Sequence, residues 1–219
     1  MKEKHLSYYK LIDAFQTDEC PVCFITKQRI ENYFDNLLYE NINDVEFRKQ
    51  FNENYGFCNY HSYKFLSYND GLAISLTHKT LLIEKIKEFQ LKTDKKILRY
   101  LKPKNKKCMV CKLSIEIEDR YLSIIQEYID DPEFKESFLC SKGLCIPHYE
   151  LLLARIKKIP EWISDFHIKN YSELLKKLEK YLDNCNFSPK KEHLILLDDE
   201  KVIWKKIINV LFGYEGRMT

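Results

Sequence analysis

Cys20-Pro21-Val22-Cys23 and the later Gly56-Phe57-Cys58-Asn59-Tyr60-His61 form the stretch that decides the fold, because the chain contains this pair of motifs twice. The second copy reads Cys108-Met109-Val110-Cys111 and then Gly143-Leu144-Cys145-Ile146-Pro147-His148. The spacing is nearly equal, with 34 residues between Cys23 and Cys58 and 33 between Cys111 and Cys145. Two CxxC…GxCxxH units at matching spacing predict a duplicated metal-binding module.

The residues between the motifs also match. Tyr33 corresponds to Tyr121, Leu37 to Ile125, Asp44–Phe47 to Asp131–Phe134, and Phe51 to Phe138. The offset is 88 residues in the first part of the repeat and 87 in the second, which indicates one deletion. A similarity that extends beyond the cysteines indicates that a whole structural unit is duplicated.

The motif spacing suits a tetrahedral metal ion. Two cysteines separated by two residues can direct both thiolates at one ion, and a Cys and a His three apart lie on one face of a helical turn. Gly56 and Gly143 allow the tight backbone approach before that turn. The predicted ligand sets are Cys20, Cys23, Cys58 and His61, and Cys108, Cys111, Cys145 and His148.

This pairing keeps each ligand set within one repeat; the competing arrangement exchanges the CxxC motifs between the repeats. Four protein ligands leave no open coordination position, which favours a structural ion over a hydrolytic one. The alternative without metal is a set of buried thiols and two core histidines that are satisfied by hydrogen bonds.

Composition favours an all-α fold. The chain has 219 residues with only five glycines and six prolines, so turn-forming residues are scarce and long helices are expected. We predict a single helical domain over residues 1–219, made of two pseudo-symmetric repeats and a C-terminal helix. The repeats span about 15–101 and 104–185, each closed by a Cys3His site, and a helical cap spans 190–219.

Apolar periodicity and capping residues predict the individual helices. Asp44 and Asp131 are expected to cap short helices, and Asp198 or Asp199 the last one. Leu72, Leu76, Leu82, Ile83, Ile86, Phe89, Ile97 and Leu101 are expected to form the buried stripe of one long helix over 72–101. Residues 103–107 and 184–189 are expected to be joints, and 193–197 a short strand.

Several functional classes find no support in the sequence. There is no apolar run of the ~20 residues that a membrane span needs and no secretory signal, so a cytoplasmic location is expected. The formal net charge is only +3. Eight lysine and arginine residues lie from Lys92 to Lys107, and such a cluster could bind the phosphates of a nucleic acid. A solvated helix face is the preferred interpretation of this cluster, so nucleic acid is the less favoured partner. A Walker loop, a Ser/His/Asp set and an HExxH motif are all absent.

Four further residues are candidates for additional site residues. Cys140 and Cys185 lie outside the repeated pattern and are expected to be small buried apolar side chains. His78 and His167 follow His61 and His148 by 17 and 19 residues. They could place a polar group beside each metal, but partly exposed ordinary histidines are the favoured expectation.

The two motif pairs, together with the C-terminal Trp204-Lys205-Lys206-Ile207…Gly213, resemble an uncharacterised family of bacterial proteins found mostly in anaerobes. The resemblance covers nearly the whole chain. Met109 departs from the pattern, which has proline at this position of the CxxC motif. The resemblance implies a helical, metal-binding protein and implies no activity.

Three hypotheses for the function follow. The first is a non-enzymatic protein with two structural Zn²⁺ sites, serving as an interaction or adaptor module for a protein partner. The second is an iron–sulfur protein for electron transfer or redox sensing, since cysteine thiolates with one histidine can also hold a cluster. The third and least favoured is thiol–disulfide exchange at one of the CxxC motifs, which usually needs a βαβ context.

Overall fold

The structure is a computed structural model that describes residues 4–91, 108–186 and 203–217. All regular secondary structure in these ranges is helical, which confirms the predicted all-α fold. The helices are α1 (Leu6–Ala14), α2 (Pro21–Asn36), a π-helical segment (Leu37–Asn41), α3 (Val45–Glu53), α4 (Asn59–Leu66), α5 (Gly71–Leu91), α6 (Met109–Tyr128), α7 (Pro132–Leu139), α8 (Ile146–Arg155), α9 (Glu161–Asn186) and α10 (Ile203–Phe212). Among the described helices, none has the length and apolar character needed to cross a membrane.

Equivalent helices of the two repeats begin in the same way. Asp44 caps α3 by accepting a hydrogen bond from the Phe47 amide at 2.7 Å, and Asp131 caps α7 by accepting one from the Phe134 amide at 2.9 Å. Both caps were predicted. They satisfy amide groups that have no partner within the helix. Helices α2 to α5 therefore correspond in order to α6 to α9.

The predicted buried stripe of α5 was wrong. Leu72, Leu82, Ile83 and Ile86 are 41–71% exposed, whereas Ala73 and Thr77 are buried. The hydroxyl of Thr77 donates to the Ala73 carbonyl at 2.8 Å, so a polar residue can occupy the inner face of the helix without losing a hydrogen bond. Helix α5 thus turns its small residues inward and leaves several large apolar side chains at the surface.

Some predictions lie outside the described residues. These are the part of the long helix that contains Ile97 and Leu101, the lysine-rich cluster from Lys92 to Lys107, the joint at 103–107, the joint at 184–189 from residue 187 onward, the strand at 193–197, and the caps at Asp198 or Asp199.

The chain divides into two compact units that cut across the sequence repeats. In the described ranges, the first unit contains residues 4–27, 117–186 and 203–217, and the second contains 28–91 and 108–116. The start of α2 therefore belongs to the unit that holds α7 to α10, and the start of α6 belongs to the unit that holds α3 to α5. The domain boundaries expected from the repeats stay a prediction.

Each unit has its own aromatic core. In the first unit, the ring of Phe15 meets those of Phe134 and Phe138 edge to face, with centroids 5.5 and 5.3 Å apart. In the second unit, Phe34 stacks on Phe65 at 5.7 Å, and the ring of Phe57 contacts both. Burying such rings is a major source of stability, and these cores anchor the helix starts that carry the cysteines.

Candidate metal centres

The candidate ligands lie at the starts of four helices. Cys20, Cys58, Cys108 and Cys145 each precede a helix, and their carbonyl oxygens accept the first helical hydrogen bonds at 2.9–3.0 Å. The remaining ligands follow three positions later, in the first turn of the same helix. Helix N-termini carry partial positive charge, so every thiolate lies where negative charge is stabilised.

One cluster, site A, lies in the first unit and combines the starts of α2 and α8. The sulfur of Cys23 is 3.6 Å from that of Cys145. The Nδ1 atom of His148 is 3.4 Å from the sulfur of Cys20, 3.4 Å from that of Cys23 and 3.1 Å from that of Cys145. All four residues are buried.

The other cluster, site B, lies in the second unit and combines the starts of α4 and α6. The sulfur of Cys58 is 3.5 Å from that of Cys111. The Nδ1 atom of His61 is 3.2 Å from the sulfur of Cys58, 3.3 Å from that of Cys111 and 3.6 Å from that of Cys108. Cys58 is partly exposed, and the other three residues are buried.

The structure brings together all eight predicted ligands but corrects their pairing. The expected sets joined each CxxC to the CxxH of its own repeat. Instead, Cys20 and Cys23 meet Cys145 and His148, and the CxxC of the second repeat meets Cys58 and His61. The physical reason is that the starts of α2 and α6 pack into units dominated by helices of the other repeat. The structure therefore has the exchanged arrangement of the CxxC motifs, which is the competing alternative to the predicted pairing.

Both clusters fit one tetrahedral ion. With Zn–S bonds of about 2.3 Å and Zn–N bonds of about 2.0–2.1 Å, a tetrahedron has S···S edges of about 3.8 Å and S···N edges of about 3.6 Å. One S···S separation in each site, 3.6 Å at site A and 3.5 Å at site B, and the S···N separations of 3.1–3.6 Å are equal to these lengths or slightly shorter. All four ligand atoms of each site lie within 4.8 Å of one another. An expansion of a few tenths of an ångström would therefore admit an ion at either site.

Protons are shared unevenly among the ligands of site A. Burial opposes ionisation of Cys20, but hydrogen bonds from Cys145, Cys23 and His148 lower the pKa of Cys20 well below its usual value. The pKa of Cys23 is raised by its contacts with Cys145 and Cys20 and by burial. Burial disfavours charged His148, yet contacts with Cys145, Cys20 and Glu118 raise its pKa to about 11. The lowered pKa of Cys20 and the raised pKa of His148 both favour a thiolate paired with an imidazolium at site A.

Site B shows the same division between its two CxxC thiols. A hydrogen bond from Cys111 is the main cause that lowers the pKa of Cys108 to about 3, although burial acts in the opposite direction. The pKa of Cys111 is raised, first by its contact with Cys108 and then by burial. A thiol with a raised pKa must lose its proton to become a ligand, so metal binding at either site would release protons.

A carboxylate lies behind the histidine of site A. Glu118 Oε1 is 3.5 Å from His148 Nε2, which is an ion-pair separation and too long for a good hydrogen bond; Nε2 is a buried atom without a hydrogen-bond partner. Glu118 also accepts a hydrogen bond from the Tyr214 hydroxyl at 3.0 Å and lies 3.4 Å from the guanidinium of Arg217. Carboxylates in this position orient ligand histidines toward a metal.

The turn after α10 covers site A. Gly213 has a positive φ of 80°, and a Cβ atom at this position would lie 3.6 Å from the Cys145 sulfur and 3.7 Å from the Cys23 sulfur. Tyr214 and Arg217, from the same turn, reach Glu118. The end of the described chain is therefore part of the surroundings of site A.

His167 holds the loop before Cys145 in place. Its Nε2 accepts a hydrogen bond from the Leu144 amide at 3.0 Å, and its Nδ1 donates to the Ile163 carbonyl at 2.7 Å. The side chain is fully buried, which corrects the expectation of partial exposure, and burial lowers its pKa. His78 is partly buried, as favoured, and bonds within its own helix to the Ile74 carbonyl at 2.9 Å.

Site B has apolar surroundings. The ring of Phe34 lies 6.4 Å from that of His61, within the aromatic core of the second unit. The repeat position that corresponds to Glu118 is Ile30, which is 3% exposed. The two repeats otherwise match, so an acidic residue at the position where the other repeat has an isoleucine was the sequence signal that could have identified Glu118. No comparable signal in the sequence indicated Tyr214 or Arg217.

Cys140, which lies outside the repeated pattern, joins neither cluster. Cys140 ends α7 and is exposed, so the expectation that it is buried was wrong. The last residues of α9, including Cys185, are helical, and their side chains lie outside the description. The eight repeated ligands therefore account for both clusters.

The family identity follows from a match over residues 1–186 to the family described as "Family of unknown function (DUF6062)". The chain belongs to this family. It is also 25% identical over 213 residues to an "Uncharacterized 23.9 kDa protein in xynA 3'region" of Caldicellulosiruptor sp. (strain Rt8B.4), covering 93% of this chain and 99% of that protein. No solved structure matches the chain. The comparisons confirm the resemblance to an uncharacterised bacterial family.

Proposed function

We propose that this protein binds two structural Zn²⁺ ions, one at site A and one at site B, and acts as a non-enzymatic interaction module. The observation that carries the proposal is the convergence of three cysteine sulfurs and one histidine nitrogen in each unit, at separations near those of a zinc tetrahedron. Each ion would link two helix starts that are distant in sequence. Full coordination by protein leaves no position for a substrate or an attacking water.

The ligand separations favour one ion over an iron–sulfur cluster. All four ligand atoms of each site lie within 4.8 Å of one another. A cluster places several iron and sulfide ions between its ligands, so its cysteines must be farther apart than those around a single ion. Zinc is the ion that combines tetrahedral geometry with thiolate and imidazole ligands.

Metal content tests this proposal. Protein purified without added metal should contain about two zinc per chain by elemental analysis and should be colourless when purified anaerobically. Exposed Cys140, replaced by serine, provides a control variant that should retain both ions. Folded protein without metal would contradict the metal sites, and a brown protein with iron and acid-labile sulfide would establish the iron–sulfur alternative.

The interaction role is supported by the surface of α5. Leu82 and Ile86 lie one helical turn apart and are 63% and 47% exposed. Exposed apolar side chains in one region mark interaction sites more often than scattered ones do. A reducing cytoplasmic compartment, which keeps thiolates available for metal, is the proposed location.

A pair of variants tests the interaction role. The double variant Leu82→Glu/Ile86→Glu should lose a protein partner that wild-type protein retains from an extract of its own cells. Lys87→Glu, an exposed change on the same helix, should retain it. Equal retention by all three proteins, or no retained protein at all, would contradict a partner on α5.

A further inference from the structure

The two sites differ in the solvent exposure of their ligand residues. Cys58 of site B is partly exposed, whereas the other seven ligands of the two sites are buried. The oxidation of a thiolate by a dissolved oxidant requires contact between the oxidant and the sulfur. Site B therefore offers an access point that the ligands of site A lack.

The backbone of the turn after α10 also covers site A close to its sulfurs. Gly213 lies close to the sulfurs of Cys23 and Cys145, which are 3.6 Å apart. The equivalent S···S pair of site B is Cys58 and Cys111, which includes the partly exposed ligand. The two pairs occupy equivalent positions in the repeats and differ in access.

We propose that site B is an oxidant-reactive zinc site, at which a hydroperoxide joins Cys58 and Cys111 in a disulfide and releases the ion. Site A keeps its ion under the same treatment. The inference rests on the proposed zinc sites and adds to them a modification site with a defined co-reactant. The sulfurs of Cys58 and Cys111 are 3.5 Å apart and must approach to about 2.0 Å for the bond to form.

The reaction is balanced by one hydroperoxide for each disulfide. The Cys58 thiolate attacks one peroxide oxygen, the O–O bond breaks, and a sulfenic acid forms on Cys58 while hydroxide leaves. The Cys111 thiolate then attacks the Cys58 sulfur, forms the S–S bond and displaces a second hydroxide. Two thiolates supply two electrons, and with hydrogen peroxide two protons from solvent convert the hydroxides to water.

Loss of these two thiolates should release the ion. Only Cys108 and His61 would remain as ligands of site B, and two ligands cannot form the closed four-ligand site that structural zinc needs. The disulfide would join the start of α4 to the first turn of α6 and so replace the metal link with a covalent one. A thiol reductant restores both thiolates, and zinc can then bind again.

The test uses zinc-loaded protein carrying Cys140→Ser and Cys185→Ser, which leaves the six cysteines of the two clusters. The zinc content is measured first, and hydrogen peroxide is then added stepwise. A chromogenic chelator follows zinc release, and proteolysis with mass spectrometry maps the disulfides. We expect one zinc per chain to be released with a Cys58–Cys111 disulfide, about tenfold or more faster than the second ion. Dithiothreitol should reverse the first step.

Three results would overturn the inference: release of both ions at one rate, a first disulfide between Cys23 and Cys145, or zinc retention without oxidation at Cys58. The same mapping on the unsubstituted chain provides a check in case the two serines disturb folding. If the initial measurement finds no zinc, the proposed zinc sites fail. Bound zinc without selective oxidation overturns this inference alone.

Discussion

Site A and site B have the same types of ligand and differ in the residues that surround them. Each combines a CxxC at the start of one helix with a CxxH at the start of another, with Nδ1 of the histidine facing the sulfurs. Around site A lie an acidic residue, the turn after α10 and a buried histidine. Around site B lie an aromatic core and one partly exposed ligand.

This difference shows which features the duplication preserves. A tetrahedral ion would constrain ligand type and spacing, and these are the features that recur in both repeats. Neighbouring groups tune a site without being required for binding, so one repeat can have Glu118 where the other has Ile30. Variants that act on one site and spare the other can therefore separate binding from tuning.

The largest expected effect comes from removing two ligands at once. Cys20→Ser with His148→Ala damages one site in the exchanged arrangement and should leave one zinc per chain. Cys20→Ser with His61→Ala damages both sites and should leave none. Because apparent binding energies of structural zinc reach about 10–16 kcal/mol in zinc-finger peptides, the second variant should also lose most of its fold. Elemental analysis and circular dichroism measure both outcomes.

The same two variants discriminate between the pairings. If each repeat closed its own site, Cys20→Ser with His61→Ala would keep one ion and Cys20→Ser with His148→Ala would keep none. The single variants should each retain one ion under either arrangement. The reversed result would therefore refute the exchanged pairing directly.

The sequence predicted the helices and the ligands because both depend on local patterns. Asp44 and Asp131 cap their helices as expected, and every ligand lies immediately before a helix or in its first turn. Such features follow from the spacing of a few neighbouring residues.

The pairing of the ligands could not be predicted in this way. Whether Cys23 meets His61 or His148 depends on which helices pack together, and near-equal spacing within the repeats allows both arrangements. The exposure of Leu82 was missed for the same reason, since periodicity identifies an apolar face without identifying what covers it. Tyr214 and Arg217 lie outside the repeats, so comparison between the repeats could not relate them to site A.

Glu118→Gln should weaken zinc binding at site A alone. The substitution keeps the side-chain shape but removes the negative charge 3.5 Å from His148 Nε2. Loss of such an interaction typically lowers metal affinity 10–100-fold. Competition with a chelator should show one weakened ion and one unchanged ion per chain. Glu116→Gln, an exposed change on the same helix, is the matched control, and equal effects of both variants would contradict a specific role for Glu118.

Acidification should weaken site A more steeply than site B. Metal binding must displace the protons of the ligand groups whose pKa is raised. These groups are Cys23 and His148 at site A and Cys111 at site B. The pKa of His148 is about 11, so between about pH 6 and 8 metal-free site A carries this additional proton. Each additional released proton lowers the apparent affinity by about tenfold for each unit of pH decrease.

Zinc titration calorimetry in buffers of different ionisation enthalpy measures the protons released at each site. His148→Ala removes the additional proton but also a ligand, so the comparison is best made on the intact chain with the Glu118→Gln variant beside it. Parallel pH dependences at the two sites would contradict the difference in protonation.

The smallest expected effect concerns the glycine that covers site A. Gly213→Ala introduces a Cβ at a positive φ of 80°, 2.9 Å from the Arg217 side chain. A left-handed backbone conformation costs a non-glycine residue about 1–2 kcal/mol. The strained turn should open more often, lower the stability of the first unit by about that amount and speed zinc loss from site A severalfold.

Gly71→Ala is the matched control, because a Cβ there meets nothing within 4 Å and its φ is not positive. We therefore expect Gly71→Ala to leave both zinc release rates unchanged. If Gly213→Ala also leaves the release rate of site A unchanged, the turn after α10 does not control access to that ion, and the difference in access between the two sites must lie in Cys58 alone.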